Sequence, residues 1–311
     1  MPRRQRGLTM AELLVAMTLG LVVLLAGARL LAMANAAYAA QIGLAEVDEG
    51  GRYALATIGH AVRQAAFVDW ERTGAAGPGP AAHAALAGLD ARSLIRTSDG
   101  IDNPLPDSVN GSDVLAVRVN GAGSAPDGDG SVVSCAGAPL HRDEDGWSIF
   151  YVARNAQGTA ELRCKYRGPG SWGADALIAG VDSFQVLYGL DTDTPPDGVA
   201  NRYVNASIVR SLDAALGLAG ASAAEREQDR LRRTHWKRVV SVRIALLLHS
   251  ATPHQAQGPG RTWHLFGAPY TAAAGVDDPG TAFDAAAQSA QLRARERKLF
   301  ESTIALPSRP L

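Results

Sequence analysis

Glu12 stands near the start of an apolar stretch, LTMAELLVAMTLGLVVLLAGARLL at residues 8 to 31, whose only other charge is Arg29. An isolated carboxylate placed in lipid costs at least ~2.5 kcal/mol, so it demands a partner or a function. A carboxylate one helical turn from an α-amine can neutralise that amine, on its own chain or on a neighbouring one. In a helix bundle without water, such a pair fixes axial register. A chain cut between Gly7 and Leu8 would supply the amine. A plain bitopic anchor, with the glutamate at the level of the lipid headgroups, is the competing reading.

The remaining groups offer less. Asp191, Asp193 and Asp197, with Gly198 and Asn201, read as a loop of hard oxygen ligands suited to calcium. Pro195 and Pro196 lengthen that loop, and Arg202 stands where a twelfth-position glutamate would complete an EF-hand, so an acidic β-turn is the alternative. No other cofactor is expected. Cys135 and Cys164 form neither a CxxC pair nor a zinc quartet. In an exported domain they read as one disulfide, which in the chain-entropy model stabilises the fold by roughly 3 to 4 kcal/mol; in the cytosol they would be two buried thiols.

Enzyme signatures are missing from the sequence: there is no GxSxG, HExxH or Walker loop, and no GxGxxG that joins a strand to a helix. The seven histidines, His60, His83, His141, His235, His249, His254 and His264, are scattered rather than set at ligand spacing. A net charge of −1 gives no global attraction to nucleic acid. The arginines of RLRRTHWKR, from Arg230 to Arg238, are the only local basic cluster.

The elements that must position Glu12 follow from length and charge. Twenty-four residues of helix extend about 36 Å, enough to cross a hydrocarbon core of roughly 30 Å with some tilt. Arg3, Arg4 and Arg6 precede it, which predicts a cytoplasmic N-terminus and a C-terminal domain on the outer side. An ordinary secretory signal has a shorter apolar region and is lost on cleavage. No proline occurs between Pro2 and Pro78, and apolar residues continue at helical spacing to Ala65, so the helix is expected to run on as an amphipathic segment over 32–66, with a bend at Gly50 and Gly51.

Residues 74 to 88 read as a Gly/Pro/Ala loop. Strands are expected at Asp113–Val119, Trp147–Val152, Ala160–Tyr166, Val181–Tyr188, Val239–Leu248 and Leu299–Leu306. Charged helices are expected at Ser222–Trp236 and Phe283–Lys298.

The segment RGLTMAELLVAMTLGLVVL is similar to the prepilin signature of type IV pilins and type II secretion pseudopilins. That resemblance implies a peptidase cut after Gly7, N-methylation of Leu8 as the first mature residue, and Glu12 as the fifth. Leu8 takes the place of the more usual phenylalanine. Further along, VDSFQVLYGLDTDTPPDGVANRY, WKRVVSVRIALLLHS and RKLFESTIAL resemble the PilW family of type IV pilus assembly proteins, which are large minor pilins. The same ending is similar to the minor pseudopilins of the J class.

The implied fold is α+β and pilin-like: a leader at 1–7, a transmembrane assembly helix at 8–31, its amphipathic continuation at 32–66, and a periplasmic head at 67–311 built on an antiparallel sheet. The implied role is in pilus assembly, in a priming or tip complex. Implied partners are the prepilin peptidase, other minor pilins, the major pilin, a tip adhesin and the inner membrane. A J-class secretion pseudopilin, or a membrane-anchored adhesin or DNA-binding pilus module, would share the same anchor.

Overall fold

The computed structural model describes residues 9–65, 82–168, 170–253 and 260–307, so Gly7 and Leu8 lie outside the described residues. The chain divides into two compact units, Met1–Glu46 and Val47–Leu311. Helix α1, Met10–Gln64, contributes to both.

In the first unit, every side chain from Thr9 to Ala39 is exposed, and the helix there is long and apolar enough to cross a membrane. That is the pattern of a helix whose solvent is lipid rather than a protein interior. In the second unit the pattern changes. Ala54, Ile58, Ala61 and Val62 are buried, a three-to-four-residue recurrence that lays one stripe of the helix on the head.

The helix passes through Gly50 and Gly51 without interruption, so the bend expected there is not found. Gly51 serves a close approach, whereas Gly50 would have room for a Cβ. A Cβ on Gly51 would lie 2.4 Å from the ring of Phe300, and one on Gly50 would lie 3.6 Å from Ile178. Glycine inside a helix costs up to ~1 kcal/mol relative to alanine, a loss offset here by seating an aromatic ring against bare backbone.

Two larger antiparallel sheets and one two-stranded pair form the head among the described residues. The first runs β1(Leu86–Leu89), β2(Val114–Asn120), β3(Asp145–Arg154), β4(Ala160–Arg167) and β5(Trp172–Ala179), in that order. The second has the order β11(Arg295–Ala305), β8(Val239–Pro253), β6(Val181–Leu190), β7(Arg202–Val204). Gly180, at φ 78°, turns the chain from β5 into β6 where a Cβ would meet the carbonyl of His249 at 2.6 Å.

Strand alternation then sorts the side chains. Leu115, Val117, Phe150 and Val152 from the first sheet share a core with Val186, Ile244 and the α1 stripe, whereas their neighbours Val114, Ala116, Ile149 and Tyr151 face the other way. This is the α+β architecture expected, a long N-terminal helix followed by an antiparallel head on which its second half packs.

Three of the strands are also joined by buried charge. Asp182 on β6 accepts from Nε of Arg297 on β11 at 2.7 Å and pairs with Nδ1 of His249 on β8 at 3.0 Å. All three side chains are at most 6% exposed.

Elsewhere the structure departs from the expected elements. The helix expected at Phe283–Lys298 is replaced by a short strand β10(Ala282–Asp284), a 3-10 turn, the four-residue helix Ala290–Arg293, and β11. Its Ala- and Arg-rich composition favours helix locally, but pairing along β8 from Arg297↔His249 to Ala305↔Ser241 overrides that preference. Strand β1 occupies the end of the segment read as a loop, and β5 adds an edge strand not foreseen. The Ser222–Trp236 segment is helical over Ala223–Arg233, started by a capping box between Ser222 and Glu225, and continues as a 3-10 turn at His235–Arg238.

Candidate functional site

Glu12 lies in the first turn of α1. Its Oε2 accepts from the backbone N–H of Thr9 at 2.9 Å and from the Thr9 hydroxyl at 3.0 Å, while the Thr9 hydroxyl accepts from the Glu12 N–H at 3.3 Å. This reciprocal pattern is a capping box, and its sequence signal, threonine followed three places later by glutamate ahead of an apolar run, is present in TMAE. Thr9, which residue types alone do not single out, is thereby the direct partner of Glu12. In a single chain the carboxylate therefore has a local partner, which holds its side chain at the helix terminus beside the point where the described chain begins.

Cys135 and Cys164 are joined by a disulfide with Cα atoms 5.9 Å apart. The bridge ties the loop around Cys135 to β4, and the Cys135 N–H donates to the hydroxyl of Ser148 on β3 at 2.9 Å. Both ends of the cross-link are thus anchored in the first sheet.

Asp191, Asp193 and Asp197 come together after β6, each offering a carboxylate oxygen within 4.8 Å of the others. The loop is largely satisfied from within. The two Asp191 oxygens accept from the N–H groups of Asp193 and Gly198, at 3.0 and 2.7 Å. Asn201 donates to Asp193 at 2.9 Å. The Arg238 guanidinium donates to the carbonyls of Asp191 and Asp193, so a cation already faces the backbone oxygens that would help hold a metal ion. These bonds account for the loop as an acidic turn without an ion. Titrating the full chain in detergent with calcium is expected to give no saturable heat up to millimolar concentration; a saturable binding isotherm would reverse this reading.

The basic cluster is largely neutralised by its neighbours. Arg230 pairs with Glu227 at 2.5 Å and Arg233 with Asp229 at 3.2 Å, while Arg238 is held at the acidic turn. His235 pairs with Asp213 at 2.8 Å and Trp236 packs edge-on against Tyr188 with ring centroids 4.9 Å apart. His235, Trp236 and Arg238 thus tie this segment to its neighbours, while Arg230 and Arg233 pair within their own exposed helix. His254 lies outside the described residues.

Two family models match the chain. Residues 2–28 match the prokaryotic N-terminal methylation motif. Residues 149–308, just over half of the chain, match type IV pilus-assembly protein W. No curated protein and no solved structure matches it. The first match covers the apolar helix that carries Glu12, and the second covers β4 to β11 with the buried ion network between them. The family is a structural one, and on these matches the chain belongs to the PilW family and is a type IV pilus-associated minor pilin.

Proposed function

We propose that the chain is made as a prepilin, cut by the prepilin peptidase between Gly7 and Leu8, methylated on the new N-terminus, and drawn into a priming or tip complex of a type IV pilus. Before assembly it waits in the inner membrane with the leader cytoplasmic and the head periplasmic. In this reading the leader is 1–7, the membrane and assembly helix 8–31, its amphipathic continuation 32–66 and the head 67–311. Membership of a pilus-assembly family implies contact with pilus components. We assign these partners as other minor pilins, the major pilin and a tip adhesin.

The observation that carries the proposal is Glu12 in the first turn of a helix whose apolar residues 9–39 are all exposed, within a methylation motif. A carboxylate so placed gains most when a neighbouring chain brings an amine to it in lipid. A large head is also easier to seat at a filament tip than along a helical lattice.

Sheared pili tested with an antibody to the head are expected to contain the protein at far below the level of the major pilin, and a deletion strain is expected to lose most of its pili. Normal piliation, with loss of folded-protein secretion instead, would move the chain to the J-class pseudopilins. The DNA-binding reading loses support from the ion pairs that occupy the basic cluster.

A further inference from the structure

Between β9(Thr262–His264) and β10 the chain makes an excursion that contains a seven-residue helix, Ala268–Ala274. From Gly267 to Gly280 only Asp278 is buried, at 1% exposure, whereas Val276 two residues earlier is 96% exposed. Asp278 is thus the one buried side chain of a segment that otherwise touches the head through the Tyr270 ring and through the carbonyls of Asp277 and Gly280. Oδ2 of Asp278 accepts from the Tyr270 hydroxyl at 2.8 Å, and its Oδ1 is buried with no hydrogen-bond partner.

Two further buried carboxyl groups lie inward of Asp278. Asp90, just after β1, accepts from the Ala206 and Ser207 N–H groups at 2.9 and 2.6 Å, at the start of the helix Ala206–Ala214. Asp113, just before β2, accepts from the N–H groups of Ala91 and Val186 at 3.0 and 2.9 Å. Both are buried. The Tyr188 hydroxyl on β6 is buried beside them without a partner, Arg210 on the Ala206–Ala214 helix acts on that tyrosine, and Asn205 donates to the carbonyl of Asp277 at 3.4 Å. The hydrogen bonds to Asp90 and Asp113 come from backbone amides, and the charges that act most strongly on Asp113 and Asp278 are carboxylates.

We propose that the Gly267–Gly280 excursion is a pH-sensitive flap, docked on the head while Asp278 is neutral and loosened when it ionises. Burial foremost, with the charge of Asp90 behind it, raises the Asp278 carboxyl above the usual carboxylate range, against the hydrogen bond from Tyr270 and the nearby Asn205 amide, which favour the charged form. Asp113 is raised well above that range by burial, then by Asp90 and Asp278. The sign follows from linkage. A carboxyl whose value is raised in the docked state stabilises docking at low pH, and that stabilisation is lost as pH rises through the raised value. Undocking would also carry Tyr270 away from Phe266, its edge-on partner at 5.5 Å, and so thin the cover over Phe283 of β10 and over Leu187 and Leu247 on the outer face of the second sheet.

The test is hydrogen exchange of the full chain in detergent at pH 5.5 and 8.5, corrected for intrinsic rates. Peptides spanning 266–281 are expected to lose protection by up to about tenfold for each pH unit between the ordinary carboxylate range and the raised Asp278 value, and to level off above it, while β6 and β8 keep theirs. In Asp278→Asn, which keeps an acceptor for Tyr270 but cannot ionise, flap protection should no longer depend on pH. Tyr270→Phe removes a bond that favours the charged form, so its transition should move to higher pH; this variant decides the matter if Asp278→Asn does not fold. Equal pH dependence in wild type and Asp278→Asn, an unmoved transition in Tyr270→Phe, or no pH dependence in wild type would each overturn the proposal.

Discussion

Replacing Glu12 with alanine is expected to leave the chain inserted and its head folded while lowering its recovery in sheared pili by about a hundredfold. The number follows from the cost of leaving a charge unpaired inside a dry bundle, about 3 kcal/mol or more, with each 1.4 kcal/mol a factor of ten. Glu12→Gln separates the two roles visible in the structure. Glutamine can still complete the capping box with Thr9, because either side chain serves at that position. It cannot neutralise an amine. The account therefore predicts that Gln fails almost as badly as Ala, and recovery of Glu12→Gln at wild-type levels would show that the cap, not the charge, is what matters.

The second large effect concerns the head. Asp182→Ala is expected to cost about 3 to 5 kcal/mol, because it leaves Arg297 and His249 buried without their carboxylate. Arg297 would retain only its bonds to the carbonyls of Leu292 and Arg295. The three residues sit on adjacent strands, with Arg297 directly opposite His249, so the loss should be felt as loosened pairing of β11. Denaturant unfolding of the full chain in detergent measures it, and a cost below about 1 kcal/mol would mean that water reaches the site. The effect should be independent of Glu12, since Asp182 belongs to the other compact unit.

How far such features can be read from sequence depends on how local their causes are. The apolar helix, its one carboxylate and the alternation of β2, β6 and β8 are legible because period and charge are written in consecutive residues. The Phe283–Lys298 segment misleads for the opposite reason. Its Ala and Arg residues favour helix, and only the distant partner strand β8 makes Arg295–Ala305 a strand.

Gly50 and Gly51 show the same limit. A glycine pair reads locally as a bend, but the ring of Phe300, some 250 positions away in the chain, explains why Gly51 has no side chain. The partners of Lys165 are equally hidden. Nothing around it announces a fully buried ammonium, yet it donates to the carbonyls of Ile95 and Gly100 and to the Ser98 hydroxyl, and burial pushes it down to about 8. Thr9, by contrast, was legible: the capping-box spacing to Glu12 is plain in the sequence once the helix start is fixed.

The central claim is that the chain is a processed prepilin, and the identity of its first residue tests it most directly. Mass spectrometry of the N-terminal peptide, from protein purified out of membranes of a piliated host, should find a chain that begins at Leu8 with a methylated α-amine. A chain that still begins at Met1, with Arg3, Arg4 and Arg6 in place, would contradict the account, because Glu12 would then have no free amine one turn away to neutralise.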